Sequence, residues 1–81
     1  MSPEQLLEQT VKQMADHPDK VSVESHVTSS TAVFDIRVDD SDVGKVLGKR
    51  GSHADALRIV FGAIYGKHGK RLLLQVIDPR R

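Results

Sequence analysis

The feature that most constrains this chain is the octapeptide at residues 44–51, Gly-Lys-Val-Leu-Gly-Lys-Arg-Gly, just past the midpoint of 81 residues. Two of its glycines flank a pair of cations, so the backbone there can approach a polyanion closely with the charge already in place. A helix-like pattern begins directly after the octapeptide, and its free N–H groups would point at the same position. The octapeptide therefore predicts a loop that holds a phosphate backbone.

Length and composition predict one small domain. A chain of this size buries only about 60% of its unfolded surface, so its core is thin. There is no cysteine, which excludes disulfides and thiolate metal sites and fits a reducing compartment. No apolar run approaches the roughly 18 residues that span a bilayer, and the N-terminus lacks the basic-then-apolar order of a signal peptide. We expect a soluble, cytoplasmic protein without a membrane partner.

The charges change sign along the chain. Residues 1–42 carry three cations and nine acidic residues, a balance of −6, whereas residues 43–81 carry nine cations and two acidic residues, a balance of +7. Charged residues often do no more than solvate helix faces, and that explanation stays open. Because the sign changes where the octapeptide begins, the pattern favours a basic functional face built from the second half.

The first half predicts a helix followed by an antiparallel hairpin. Ser2 can cap the helix, Pro3 occupies its first position, and Gln5 completes a capping box. The pair His17-Pro18 closes the helix. Its apolar stripe consists of Leu6, Leu7, Val11 and Met14. Two alternating apolar runs then follow, and the stretch Ser29-Ser30-Thr31 between them predicts the hairpin turn. The runs are residues 21–27 and 33–38, and the second has Phe34, Ile36 and Val38 on one face.

The second half predicts two helices and a strand. A short helix ends near Leu47, and its cap can come from Asp39, Asp40 or Ser41. A longer helix is capped by Ser52 and ends at Gly66. Residues 72–77 form a final, mostly buried strand. The predicted order is helix, strand, strand, helix, helix, strand, an α+β fold. We take residues 1–81 as one domain, divided into an N-terminal helix (1–18), a core (21–77) and a tail (78–81).

The longer helix has two apolar sides. The arc expected to pack on the sheet consists of Ala54, Leu57, Val60, Phe61 and Ile64. A second set, Ala56, Ile59 and Ala63, lies largely opposite. Scattered apolar residues are normal on protein surfaces, but small alanines would also let a partner helix approach. Both explanations stay open.

Two nucleotide-binding motifs and catalysis are excluded. An NTPase phosphate loop needs four residues between its first glycine and its Gly-Lys pair, and here only three separate Gly44 from Gly48. Arg50 also replaces the hydroxyl residue that binds magnesium. The dinucleotide fingerprint Gly-x-Gly-x-x-Gly is absent. The four histidines (His17, His26, His53 and His68) show no metal-ligand spacing. We find no Ser-His-Asp grouping, and expect neither an enzyme nor a cofactor.

The Gly-x-x-Gly loop, lying between two helices, after a hairpin and before a last strand, resembles that of a type II KH domain. The matching residues are Val46-Leu47-Gly48-Lys49-Arg50-Gly51, followed by Ala54 and Leu57. From the first helix to Ile77 the chain resembles the small bacterial KhpA (YlqC-like) single-KH-domain RNA-binding proteins. Leu47 replaces the frequent isoleucine of KH domains, and Ala54 replaces a large aliphatic residue, which would make the groove wall shallower.

The resemblance implies that the loop clamps about four single-stranded nucleotides. Gly48 and Gly51 would let the backbone approach the phosphates, which Lys49 and Arg50 would neutralise with help from Lys45. Val46 and Leu47 would offer an apolar surface to the bases. His53 has two readings of equal weight, an RNA contact and a solvated helix residue. The full expected RNA-binding set is Lys45, Val46, Leu47, Gly48, Lys49, Arg50, Gly51, Ser52 and His53. Ile36 and Val38 are expected in the core rather than in the groove.

The resemblance also implies a cellular role and partners. It points to an RNA chaperone or post-transcriptional regulator linked to cell elongation, cell shape, cell wall biogenesis and envelope homeostasis. It further implies a homodimer and a heteromer with a larger multidomain KH protein. Two alternatives stay open, a protein-interaction adaptor for which RNA contact is incidental, and single-stranded DNA as the ligand. With only Phe34, Phe61 and Tyr65 as aromatic residues, the chain lacks the stacking platform of an RRM or OB fold.

Overall fold

Three strands form one mixed sheet in the order β1-β2-β3 in a computed structural model that describes residues 1–78. The elements are α1 (Pro3–Met14), β1 (Ser22–Val27), β2 (Thr31–Arg37), α2 (Val43–Leu47), α3 (Ser52–Gly66) and β3 (Arg71–Ile77). β1 and β2 are antiparallel, as the hairpin prediction requires, whereas β2 and β3 are parallel. A parallel pair needs a long crossover, which α2 and α3 supply. The predicted α+β fold and element order are confirmed.

The start of α1 follows its sequence signals. The Ser2 hydroxyl accepts a hydrogen bond from the Gln5 N–H at 3.2 Å, and the Gln5 side chain accepts one from the Ser2 N–H at 2.9 Å. This reciprocal pair satisfies two N–H groups that a helix start otherwise leaves free. Of the predicted apolar stripe, Leu7 and Val11 are fully buried and Met14 packs on the core, whereas Leu6 is 42% exposed.

The core lies against the central strand. Ala32, Phe34 and Ile36 of β2 have no exposed surface, and Val38 is buried just beyond the strand, so Ile36 and Val38 are core residues as expected. Burial of one such large apolar side chain contributes about 1.5–3 kcal/mol. In β3 only Leu74 is buried, because alternate side chains of the strand point to the opposite, more exposed face of the sheet. The prediction of a mostly buried last strand is therefore wrong.

The inward face of α3 is rotated slightly from the predicted arc. Val60 is 55% exposed, and Tyr65 is buried. The Tyr65 hydroxyl donates to the Glu4 carboxylate at 2.8 Å and so ties the end of α3 to the start of α1. Burial and this bond raise the pKa of Tyr65. The buried face consists of Ala54, Leu57, Phe61 and Tyr65, with Ile64 half-buried.

The segments around α2 agree in part with their turn residues. The Asp39 side chain accepts from the Ser41 N–H at 3.1 Å and so caps a 3-10 turn, Asp40–Asp42, that precedes α2. The N-cap of α2 itself is Asp42, so none of the three predicted residues caps this helix. α3 ends at Gly66 as predicted. Of the predicted tail, residues 79–81 lie outside the described residues.

Asp42 is a fully buried carboxylate that joins α1 to α2. It accepts hydrogen bonds from the backbone N–H groups of Asp16 at 3.1 Å and His17 at 2.9 Å, and lies 3.2 Å from the His17 Nδ1. α1 consequently ends at Met14, before the predicted stop at His17-Pro18. Burial opposes ionisation of Asp42, but these hydrogen bonds outweigh it and hold its pKa below the usual value.

Replacing Asp42 with Asn should lower the free energy of unfolding in a pH-dependent way. The folded-state pKa lies below the ordinary 3.8, so the stabilisation is complete above that value and is lost as the pH falls through the folded pKa. The difference between wild type and Asp42→Asn should be large at about pH 6 and shrink at about pH 3. Urea unfolding at the two pH values measures it. The exposed Asp19→Asn variant is the control, and a difference that grew in acid would contradict the assignment.

Candidate nucleic-acid interface

The loop between α2 and α3 is a single tight turn with three left-handed residues. Gly48 has φ 75° and ψ 170°, a conformation that is essentially restricted to glycine. Arg50 (φ 56°) and Gly51 (φ 76°) follow, and the Gly51 N–H donates to the Gly48 carbonyl at 3.1 Å. The Lys49 and Arg50 side chains are exposed, and within residues 1–78 neither makes a hydrogen bond or ion pair. The turn therefore presents two unneutralised cations to solvent.

His53 locks this turn in place. A Cβ added at Gly48 would lie 2.5 Å from the His53 Cγ and 2.7 Å from its backbone nitrogen, so only glycine fits. The His53 Nδ1 lies 2.7 Å from the Lys45 carbonyl, which can only accept, so the nitrogen carries the proton and donates. The His53 ring thus bridges the end of α2 and the start of α3. A contact of its exposed edge with RNA stays a prediction.

The start of α3 differs from the predicted cap. Gly51 is the N-cap, and Ser52 is the first helical residue, whose side chain makes no capping hydrogen bond. The chain reverses through left-handed residues here, so the position before the helix falls on the second glycine. The first-turn N–H groups of α3 adjoin the basic turn, where a helix favours anions.

The two apolar residues of the octapeptide occupy different environments. Val46 is fully buried in the core, and Leu47 is half-buried beside it. The predicted role of Val46 as a surface for bases does not fit its burial, since the side chain supports the loop from beneath. An apolar residue before a Gly-x-x-Gly turn can face either way, and only packing decides which.

Lys45 is already paired within the chain. Its Nζ lies 3.0 Å from a carboxylate oxygen of Asp16, and both side chains are at least half exposed. The hydrogen bond to Asp16 raises the pKa of Lys45. No sequence signal links these residues, because they belong to different elements that meet only after folding. Lys45 is thus the one cation of the octapeptide that is not free.

A groove along β3 was missed by sequence reasoning. It has a volume of about 360 Å³ and is lined by Val33, Arg58, Leu72, Leu73, Leu74 and Gln75. The Arg58 Nε donates to the Leu74 carbonyl at 3.0 Å on the sheet edge, and its Nη1 donates to Asp55 at 2.8 Å. The only sequence signal for this groove was Arg58, a basic residue next to the inward-facing Leu57 of α3.

The second-half cations within residues 43–78 do not all gather at the loop. Lys45, Lys49 and Arg50 precede α3, in α2 and in the turn, whereas Lys67, Lys70 and Arg71 follow its end. A helix of 15 residues separates the two groups by about 22 Å. For the described cations that flank α3, the basic face expected from the charge pattern is therefore divided between the two ends of this helix.

Other kinds of site are not found in the described part of the chain. Residues 1–78 contain no group of three or more His, Cys, Asp or Glu side chains that could hold a metal ion. They also contain no helix long and apolar enough to cross a membrane.

A mixed three-stranded sheet of α-β-β-α-α-β order, with a glycine-flanked turn joining its two crossover helices, defines a type II KH domain. The family model "KhpA/KhpB, KH domain" matches residues 4–76, and the chain belongs to this family, which is not a family of enzymes.

Similar proteins span nearly the whole chain. A protein of Streptomyces coelicolor is 44% identical over 78 residues, covering 96% of this chain and 98% of its own. One of Aquifex aeolicus is 41% identical over 73 residues, covering 90% and 92%. A third, of Clostridium acetobutylicum, is 37% identical over 73 residues, covering 90% and 97%. All three are named RNA-binding protein KhpA. No solved structure matches significantly.

Alanine substitutions at the two loop glycines should differ in cost. Gly51→Ala meets no atom within 4 Å and carries only the strain of its positive φ, about 1–2 kcal/mol. Gly48→Ala adds a collision with His53 and should lower the free energy of unfolding by a further 1 kcal/mol or more, on the order of an overpacked site. Urea unfolding of both variants measures the difference. Equal losses would contradict the close approach of His53.

Proposed function

We propose that this chain binds single-stranded RNA by clamping its backbone at the turn between α2 and α3. The observation that carries the proposal is the exposed pair Lys49 and Arg50, unpaired within residues 1–78 and flanked by glycines. Glycine at both ends keeps the turn narrow, so phosphates can reach the backbone as well as the charges. The names of the curated relatives agree with an RNA ligand.

The groove along β3 offers a surface for the bases. Leu73, which is 47% exposed, and the half-buried Leu72 supply apolar surface, and the Arg58 guanidinium supplies donors at the strand edge. KH loops grip about four nucleotides through the backbone, and sequence is read from unstacked bases by hydrogen bonding. We propose that the phosphates lie on the turn and the bases along β3. Contacts to the phosphates alone do not select RNA over DNA, because the two differ at the 2′-hydroxyl of the sugar.

The double variant Lys49→Asp/Arg50→Asp should abolish RNA binding and leave the fold intact, because both side chains are exposed. Fluorescence anisotropy with a labelled single-stranded RNA measures affinity, and circular dichroism checks the fold. The charge-matched control is Lys67→Asp/Arg71→Asp, whose residues are also exposed but lie beyond the far end of α3. Unchanged affinity in the loop variant would exclude the clamp, and equal losses in both variants would indicate net charge alone. A DNA oligomer of the same sequence, titrated in parallel, distinguishes the two ligands.

The exposed side of α3 favours self-association as a second property. Ile59 is 73% exposed and Val60 is 55% exposed, and Ala56 and Ala63 are exposed on the same helix. One clamp on about four nucleotides gives modest affinity, which pairing raises through effective concentration. We therefore propose a homodimer through this side. A heteromer with a larger KH protein, or use of the domain mainly as a protein-interaction adaptor, would use the same surface.

Replacing Ile59 with Asp should convert the dimer into a monomer, because the acid would be desolvated at the contact. Light scattering at high protein concentration measures the mass. Leu6→Asp is the control, since Leu6 is also partly exposed (42%) but lies on α1. A wild-type protein that is strictly monomeric at high concentration would exclude the homodimer.

The cellular part of the proposal rests on family resemblance. It comprises a cytoplasmic RNA chaperone or post-transcriptional regulator with links to cell elongation, cell wall biogenesis and envelope homeostasis. Crosslinking in cells followed by sequencing of the bound RNA tests this role directly. Recovery of no RNA above background would contradict it.

A further inference from the structure

Lys45 differs from the other two cations of the octapeptide in having an internal anion. Its Nζ lies 3.0 Å from the Asp16 carboxylate, with side-chain exposures of 50% and 66%. Lys49 and Arg50 have no such partner among residues 1–78. One of three cations next to the turn is therefore neutralised before any ligand arrives.

The position of Asp16 is fixed by the core. Its backbone N–H donates to the fully buried Asp42 at 3.1 Å, and the next N–H, of His17, donates to the same carboxylate at 2.9 Å. Asp42 directly precedes α2, and Lys45 lies within that helix. The carboxylate of Asp16 is thus held beside Lys45 by a buried anchor, and does not depend on the flexible side chains alone.

Lys45 is in turn fixed to the turn itself. Its carbonyl accepts from the His53 Nδ1 at 2.7 Å, and His53 packs against Gly48. The backbone of Lys45 therefore has a defined position next to the proposed phosphate site. Its ammonium group pairs with Asp16 in the free protein and so is not available to a phosphate. The raised pKa of Lys45 agrees with a direct interaction with Asp16.

We propose that Asp16 acts as a built-in competitor for RNA phosphate, holding Lys45 away from the ligand and weakening the clamp. The inference rests on the proposed RNA-binding function and concerns the regulation of that site. An ion pair this exposed is weak, so a phosphate can displace the carboxylate at a small cost. Lys49 and Arg50 would then bind RNA directly, whereas Lys45 would bind only where a phosphate displaces Asp16. This competition keeps the exchange of bound RNA fast.

The variant Asp16→Asn tests this competition. It keeps the backbone hydrogen bond to Asp42 and removes only the charge. Affinity for a labelled eight-nucleotide single-stranded RNA should rise about two- to fivefold, the range of an exposed ion pair. The slope of log Kobs against log salt should become steeper by about 0.7, because one more phosphate is neutralised. Asp19→Asn, on the same segment and without a hydrogen bond or ion pair within residues 1–78, is the charge-matched control.

A double-mutant cycle with Lys45→Met separates competition from a general charge effect. Lys45→Met should cost more affinity in the Asp16→Asn background than in wild type. The proposal would be overturned if Asp16→Asn binds RNA no better than Asp19→Asn. It would also be overturned if Asp16→Asn binds RNA more weakly than wild type, because Asp16 would then position Lys45 for RNA. Either outcome would leave the proposed clamp supported if Lys49→Asp/Arg50→Asp abolishes RNA binding. Unchanged RNA binding by Lys49→Asp/Arg50→Asp, or no RNA binding by wild type, would instead overturn both the proposed clamp and the proposed role of Asp16.

Discussion

The buried carboxylate of Asp42 is the interaction on which the working end of this molecule depends. An ionised group with no exposed surface is stable only if hydrogen bonds replace its lost hydration. Here the donors are the two N–H groups just past the end of α1 and the ring of His17. In satisfying the anion they end α1, fix the start of α2, and place Asp16 beside Lys45. This polar contact supports a small core and lies two residues before the octapeptide.

From that anchor the geometry of the turn follows step by step. Val43 and Val46 are buried and seat α2 on the core, and the His53 ring closes the gap between α2 and α3. The space left at Gly48 admits no side chain. Only then do Lys49 and Arg50 face outward with nothing in the described chain to neutralise them. The cationic turn is therefore held rigidly by the buried residues beneath it and by the His53 ring. A rigid turn suits recognition of a nucleic-acid backbone.

Features of the chain that depend on near neighbours agree with their sequence signals, and several features that depend on packing do not. The capping box of α1 and the stop at Gly66 depend on neighbours within four residues, and both are as predicted. Ser52 is not the helix cap and Val60 is not buried, contrary to the predictions. Both outcomes depend on the position of α3 relative to the turn and the sheet. The exposure of β3 could not be read from its apolar run, since a continuous run of leucines does not show which face of the sheet is covered.

The sequence by itself determined the element order, the glycine turn and the class of domain, because periodicity, caps and turn residues act over short distances along the chain. It also identified Lys49 and Arg50, whose exposure follows from the turn. Only the tertiary structure decided that Val46 is core, that Arg58 lies on the edge of β3, and that Asp16 pairs with Lys45. The physical reason is separation: these contacts join residues from different elements, and nothing local in the chain records which of them meet.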